Sequence, residues 1–121
     1  MNSIHLNTPK AMLELSFSVF IGDANQLLAA CLKEGRLHKG SVDAVFYDMF
    51  SPQAVPELWC SDVFASYHAV LHPTHGQLLT YSCARAVKDA LTEAGFTYTV
   101  TKQALGRKRG GLIAQPIRPL Q

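Results

Sequence analysis

The sequence predicts an α/β fold built on a mainly parallel sheet. Short β-branched or aromatic runs alternate with stretches of helical periodicity, as in chained strand–helix units. The run Val42–Tyr47 is apolar on both faces except at Asp43, the pattern of a strand covered on both sides. Glycine or proline marks most of the junctions between these runs. With 121 residues, one domain spanning 1–121 is expected.

The elements follow in order. Residues 1–15 form a poorly specified lead-in. Phe17–Ile21 reads as a strand ended by Gly22. Asp23 then N-caps a helix carrying Leu27, Leu28, Cys31 and Leu32, and Gly35 supplies its left-handed end. Val42–Tyr47 is the next strand. After a loop over 51–56, the stripe Val63, Phe64, Tyr67, Val70, Leu71 predicts a helix capped by Ser61 or Asp62 and stopped by Pro73. Gln77–Tyr81 is a third strand, and Ser82 caps a third helix with Val87, Ala90, Leu91 and Ala94, closed by Gly95. Phe96–Thr101 alternates polar and apolar residues, and Leu112–Ala114 is a last short strand. With no helix between these two, they should pair as an antiparallel hairpin. Residues 116–121 read as a tail.

Composition narrows the classes. No apolar run approaches the ~18 residues of a membrane span. The first residues lack the basic-then-apolar order of a signal peptide, so a cytoplasmic protein without membrane contact is expected. Cys31, Cys60 and Cys83 form no paired spacing and read as reduced thiols. From Lys102 onward there are five basic residues (Lys102, Arg107, Lys108, Arg109, Arg118) and no acid, whereas six basic residues face nine acids before it. That asymmetry points to an anionic partner or to a solvated loop. His68, His72 and His75 do not share one rigid helical face, because Pro73 lies between them, so no metal site is expected. No phosphate-binding glycine loop, dinucleotide fingerprint or serine nucleophile elbow is present.

The chemistry-bearing feature is Asp43-Ala44-Val45-Phe46-Tyr47-Asp48-Met49-Phe50-Ser51-Pro52. A carboxylate ends an apolar strand, and ligands of open α/β sheets sit outside the carboxyl ends of strands. Asp48 is therefore either a catalytic group or a loop cap. Gly22-Asp23-Ala24 offers a second carboxylate at a strand-to-helix turn, beside helix N–H groups, and reads as a simple N-cap or a ligand contact. Trp59 reads as a core aromatic or a stacking platform.

Together these pieces resemble the methyltransferase domain of the MnmC family. Asp48-Met49-Phe50-Ser51-Pro52 followed by Pro56-Glu57-Leu58-Trp59 is similar to its D-G-F-[SA]-P-x-x-N-P-[ED]-[LM]-W signature. Thr80-Tyr81-Ser82-Cys83-Ala84, Glu93-Ala94-Gly95-Phe96 and Gly106-Arg107-Lys108-Arg109 resemble its T-[FY]-[ST]-x-A, E-A-G-F and G-[RK]-K-R segments. Met49 departs from a glycine, Ala54-Val55 from a pair that usually includes asparagine, and Gly110 from a common acid.

The resemblance implies the C-terminal portion of a Rossmann-like sheet that binds S-adenosylmethionine, with the family strand order 3-2-1-4-5-7-6. It implies methyl transfer to an aminomethyl nitrogen of the tRNA wobble uridine. Asp48 would be the catalytic carboxylate and a cofactor contact, with Phe50 walling the site. Asp23, with Ala24, would hold the adenine amino group. Pro52 and Trp59, with Arg107, Lys108 and Arg109 on phosphates, would meet tRNA.

It also implies two further strand–helix units, roughly 60 residues at ~30 per unit, one of which carries the glycine-rich cofactor turn. These are not in the sequence, so the chain is expected to be incomplete as an enzyme on its own. A non-catalytic remnant or adaptor that binds RNA or protein is the alternative. Without those units Val42–Tyr47 becomes an exposed edge. Three outcomes are expected: Phe17–Ile21 moves beside it, edges pair into a homodimer, or a complementing polypeptide fills the gap.

Overall fold

A computed structural model describes residues 2–8, 13–101 and 110–117. Strands β1 (Asn2–Thr8) and β2 (Leu13–Val19) form a two-stranded antiparallel sheet. Helix α1 (Ala24–Lys33) follows, then β3 (Ala44–Tyr47), α2 (Ser61–Val70), β4 (Gln77–Thr80), α3 (Arg85–Glu93), β5 (Phe96–Val100) and β6 (Leu112–Pro116).

The second sheet has the order β3-β4-β6-β5. β3 and β4 are parallel, and β6 lies antiparallel between β4 and β5. The hairpin pairing of the last two strands is as expected, and the order matches the 4-5-7-6 half of the family sheet.

The first of the three expected outcomes does not occur. The strand at Leu13–Val19 pairs with β1 over seven residues rather than with β3, because Asn2–Thr8, read as lead-in, competes for its edge as a contiguous ladder. Ile21 lies beyond the strand and is 91% exposed. Among the described residues, no strand pairs with the outer edge of β3.

Local chemistry explains the helix ends. The Asp23 carboxylate caps α1 by accepting from the amides of Asn25 and Gln26, and Gly35 adopts φ 77° after its last turn. The other two caps differ from expectation. Cys60 precedes α2 and Ala84 precedes α3, neither with a side-chain bond. Ser61 and Asp62 lie inside the first turn, where the Asp62 carboxylate still faces the positive helix end. Ser82 instead accepts from the amide of Ala84 before α3 begins. At the other end of the chain, Pro116 closes β6 and the Ile117 amide donates to Gly95, so the expected tail is part of the fold up to Ile117.

The core lies on one face of the larger sheet. Tyr47, Leu78, Leu112 and Ala114 meet Phe64 and Val70 of α2 and Val87 and Leu91 of α3, all buried. The opposite face, which includes Phe46, Thr97 and Thr99, is exposed or half-buried.

Tyr47 sits edge-on to Trp59, Phe64 and Tyr67 at centroid distances of 5.2, 5.5 and 5.4 Å. Burial pushes its phenol well above the ordinary value of 10.0, and the charges of Tyr67 and Cys60 add to this. Burial also raises Tyr67, with Asp23 contributing. A raised phenol contributes stability that is intact below the unfolded-state value and is lost as pH climbs toward the folded-state value. The melting temperature should therefore fall from about pH 10 upward. It should fall less steeply in a Tyr47→Phe/Tyr67→Phe variant. Thermal melts across that range test this.

Candidate active site at the carboxyl end of the sheet

Strands β3, β4 and β5 run in one direction, so their carboxyl ends and the start of β6 share one end of the sheet. A cleft of ≈ 420 Å³ opens there, lined by Phe46, Asp48, Leu79, Tyr81, Thr101 and Ile113 among others. Asp48 immediately follows β3 and is exposed.

The loop after Asp48 is tied down through its backbone. The Tyr81 hydroxyl donates to the Met49 carbonyl (2.8 Å) and the Trp59 indole N–H to the Phe50 carbonyl (2.7 Å). The Tyr47 hydroxyl donates to the Leu58 carbonyl, fixing the 3-10 turn Pro56–Leu58. Ser51 accepts from the amides of Ala54 and Val55, closing the turn that contains the half-buried Pro52.

The Phe50 ring, two residues after Asp48, remains 78% exposed and is not among the residues that line the cleft. Trp59 is only 4% exposed and edge-on to Tyr81 (5.7 Å), so its ring is not presented for stacking on a base. Its function here is packing and loop anchorage. The sequence singled out Trp59 and the segment around Tyr81, but not the bonds that join both to the Asp48 loop.

The far side of the cleft depends on close backbone approach. Thr101 Oγ1 accepts from the Gly111 amide (2.7 Å), and Cys83 Sγ donates to the Gly110 carbonyl (2.9 Å). A Cβ on Gly110 would lie 1.9 Å from the Thr101 carbonyl oxygen, and one on Gly111 would lie 2.3 Å from that of Thr80. Arg107, Lys108 and Arg109 lie outside the described residues. Thr101 and Gly110, the described residues on either side of that segment, sit at the same end of the sheet as Asp48.

Asp23 caps α1 through Oδ1 alone, at 3.0 and 3.1 Å, which leaves a second exposed carboxylate oxygen as an acceptor. Ala24 lines a different cavity of ≈ 710 Å³ between β2, α1 and α2, together with Phe20, Leu28 and Tyr67. The two exposed carboxylates are acceptors, the chemistry that suits the amino groups of a cation such as S-adenosylmethionine. The two do not line a common cavity among the described residues.

The histidines serve the turn after α2. His72 Nδ1 accepts from the amides of Thr74 and His75, and the two rings stack at 3.6 Å. His75 bonds Asp43 at 2.7 Å, and His68 packs edge-on to Phe96. No helix among the described residues is long and apolar enough to cross a membrane.

Known proteins resemble this chain in sequence and in fold. A family model described as S-adenosyl-L-methionine-dependent methyltransferase matches residues 3–116. The tRNA 5-methylaminomethyl-2-thiouridine biosynthesis bifunctional protein MnmC of Chromohalobacter salexigens is 37% identical over 110 residues, covering 91% of this chain and 14% of that protein. The protein of the same name from Aromatoleum aromaticum is 38% identical over 96 residues, 79% of this chain and 13% of that one. The crystal structure of MNMC2 from Aquifex aeolicus superposes with a TM-score of 0.68 at 28% identity, over 96% of this chain and 36% of that chain. The chain therefore spans about one seventh of the bifunctional relatives and about a third of the solved one. The matched span takes in the β1–β2 sheet as well as the four-stranded one, and on that evidence the chain belongs to the S-adenosyl-L-methionine-dependent methyltransferase family and is of the MnmC type.

Proposed function

We propose that this chain carries the acceptor side of a methyl-transfer site for an aminomethyl nitrogen on the tRNA wobble uridine. The observation that carries this reading is the exposed Asp48 carboxylate at the end of β3, in a cleft whose loop is tied by Tyr81 and Trp59. S-adenosylmethionine, when bound, supplies an electrophilic methyl group on a sulfonium, and Asp23 and Asp48 are the carboxylates that would hold it.

The remaining chemistry belongs to the chain's own residues. An ammonium has no lone pair. Asp48 takes its proton and, through the resulting hydrogen bond, holds the nitrogen in line. Phe50 shields that pair and faces the positive charge that develops on the nitrogen as the methyl group arrives. Arg107, Lys108 and Arg109, carried between Thr101 and Gly110, neutralise phosphates of the RNA.

A methyl-transfer assay on tRNA bearing the aminomethyl group tests the reading. Asp48→Asn should lower turnover by about two orders of magnitude or more. It should leave the melting temperature nearly unchanged, because the side chain is exposed. Triple alanine replacement at 107–109 should leave Asp48 chemistry intact but flatten the salt dependence of tRNA binding. Full turnover in Asp48→Asn, in an assembly where the wild-type chain is active, sinks the reading.

The outer edge of β3 supports a partner polypeptide or a second copy as part of the working assembly. The strand has no neighbour there among the described residues. Phe46, on β3 itself, leaves its ring 78% exposed. Sedimentation velocity separates a dimer from a monomer that awaits a different chain.

A further inference from the structure

We infer that Tyr81 is a positioning residue for Asp48, acting through the Met49 carbonyl. This rests on the proposed role of Asp48.

Among the described residues, the Asp48 side chain has no hydrogen-bond partner, so its aim is set by its backbone alone. That backbone has just left the sheet. The β3–β4 ladder ends at the pair Tyr47 and Thr80, one residue short of Asp48 on one strand and of Tyr81 on the other. Beyond that point the cross-strand tie is made by a side chain. The Tyr81 hydroxyl reaches over and donates to the carbonyl of the residue after Asp48, at 2.8 Å. The carboxylate is thus bracketed by the ladder on one side and by the phenol on the other.

Tyr81 is itself held. Its ring meets Trp59 edge-on at 5.7 Å, and Trp59 also bonds the next carbonyl of the loop. On its other side Gly111 packs so closely that a Cβ there would lie 3.3 Å from Tyr81 Cα. The start of β6, the end of β4 and the Asp48 loop form one connected series of contacts, in which the phenol is the link to the carboxylate. The residue at position 49 contributes its carbonyl, which explains how methionine stands there without disturbing the tie.

Tyr81→Phe keeps the ring and removes the link. The expected result is a fall in kcat of roughly ten- to a hundred-fold, with KM for tRNA unchanged, since a misaimed group loses rate rather than binding. Val87→Ala, in α3 and away from the site, is the control. It should cost at least as much thermal stability and leave kcat at the wild-type level. A second readout needs no turnover. The amides of Ala54 and Val55, which the loop's own turn protects, should exchange roughly five-fold faster in Tyr81→Phe. The amide of Leu78 in β4 should not. Wild-type kcat or wild-type loop exchange in Tyr81→Phe overturns the inference, as does an equal loss of kcat in Val87→Ala. Failure of the Asp48 reading is told apart by Asp48→Asn: full activity there removes the catalytic role and leaves the loop exchange of Tyr81→Phe to decide the tie alone.

Discussion

Trp59→Ala should be close to the limit that this fold tolerates. The ring is 4% exposed and meets Tyr47, Phe64 and Tyr81 edge-on. Truncating a buried aromatic of this size costs about 3–5 kcal/mol. The Phe50 carbonyl also loses its donor. Against a total stability of about 5–15 kcal/mol, that is a large fraction. The expected outcome is a melting temperature lowered by well over ~10 °C, or an unfolded chain. Trp59→Phe separates the two contributions. It keeps most of the apolar contact and loses only the indole donor, so its cost should stay near ~1–3 kcal/mol. Urea titration followed by circular dichroism measures both. A Trp59→Ala protein that melts within a few degrees of wild type would mean that the ring does not anchor the loop.

Gly110→Ala is expected to be the most damaging small substitution. The added Cβ would sit 1.9 Å from a backbone oxygen, that of Thr101, with no flexible side chain able to yield. Either the β5–β6 end opens or the Cys83–Gly110 bond breaks. The cost should reach or exceed the upper end of the ~1–3 kcal/mol seen for overpacking. Gly35→Ala provides the comparison. It meets nothing within 4 Å, and its strain comes only from φ 77°, so about 1 kcal/mol is expected. Thermal melts of the two variants should rank them in that order. The reverse order would show that the approach of Gly110 to Thr101 relaxes easily.

The comparison of sequence with structure divides along the range of the interactions. Helix α1 was legible at both ends because Asp23 and Gly35 act on backbone groups a few residues away. The paired strands of the larger sheet were legible from apolar runs and turn residues. The caps of α2 and α3 were not, since Cys60 and Ala84 have no local signal and tertiary packing sets where those helices begin. Strand β1 was missed because Ile4 and Leu6 are its only apolar residues, and its extended form depends on pairing with β2.

At the site, Asp48 and Phe50 were visible as a strand end. The bonds that aim them were not, because Tyr81 reaches Met49 across 32 positions of sequence. Likewise, nothing in the sequence around Gly110 announces a backbone oxygen at 1.9 Å from an added Cβ.

The placement of β6 between β4 and β5 has a consequence for synthesis. A ribosome makes residues 77–80 and 96–100 before it makes 112–116, yet the first two strands touch only through the third. Until Leu112–Pro116 emerges, a nascent chain holds β3 and β4 as a parallel pair and β5 as an orphan hairpin arm with open hydrogen-bonding edges. Translation at about 5–20 residues per second keeps that state brief. Any delay in the emergence of Leu112–Pro116 would prolong it and hand those edges to chaperones or to neighbouring nascent chains.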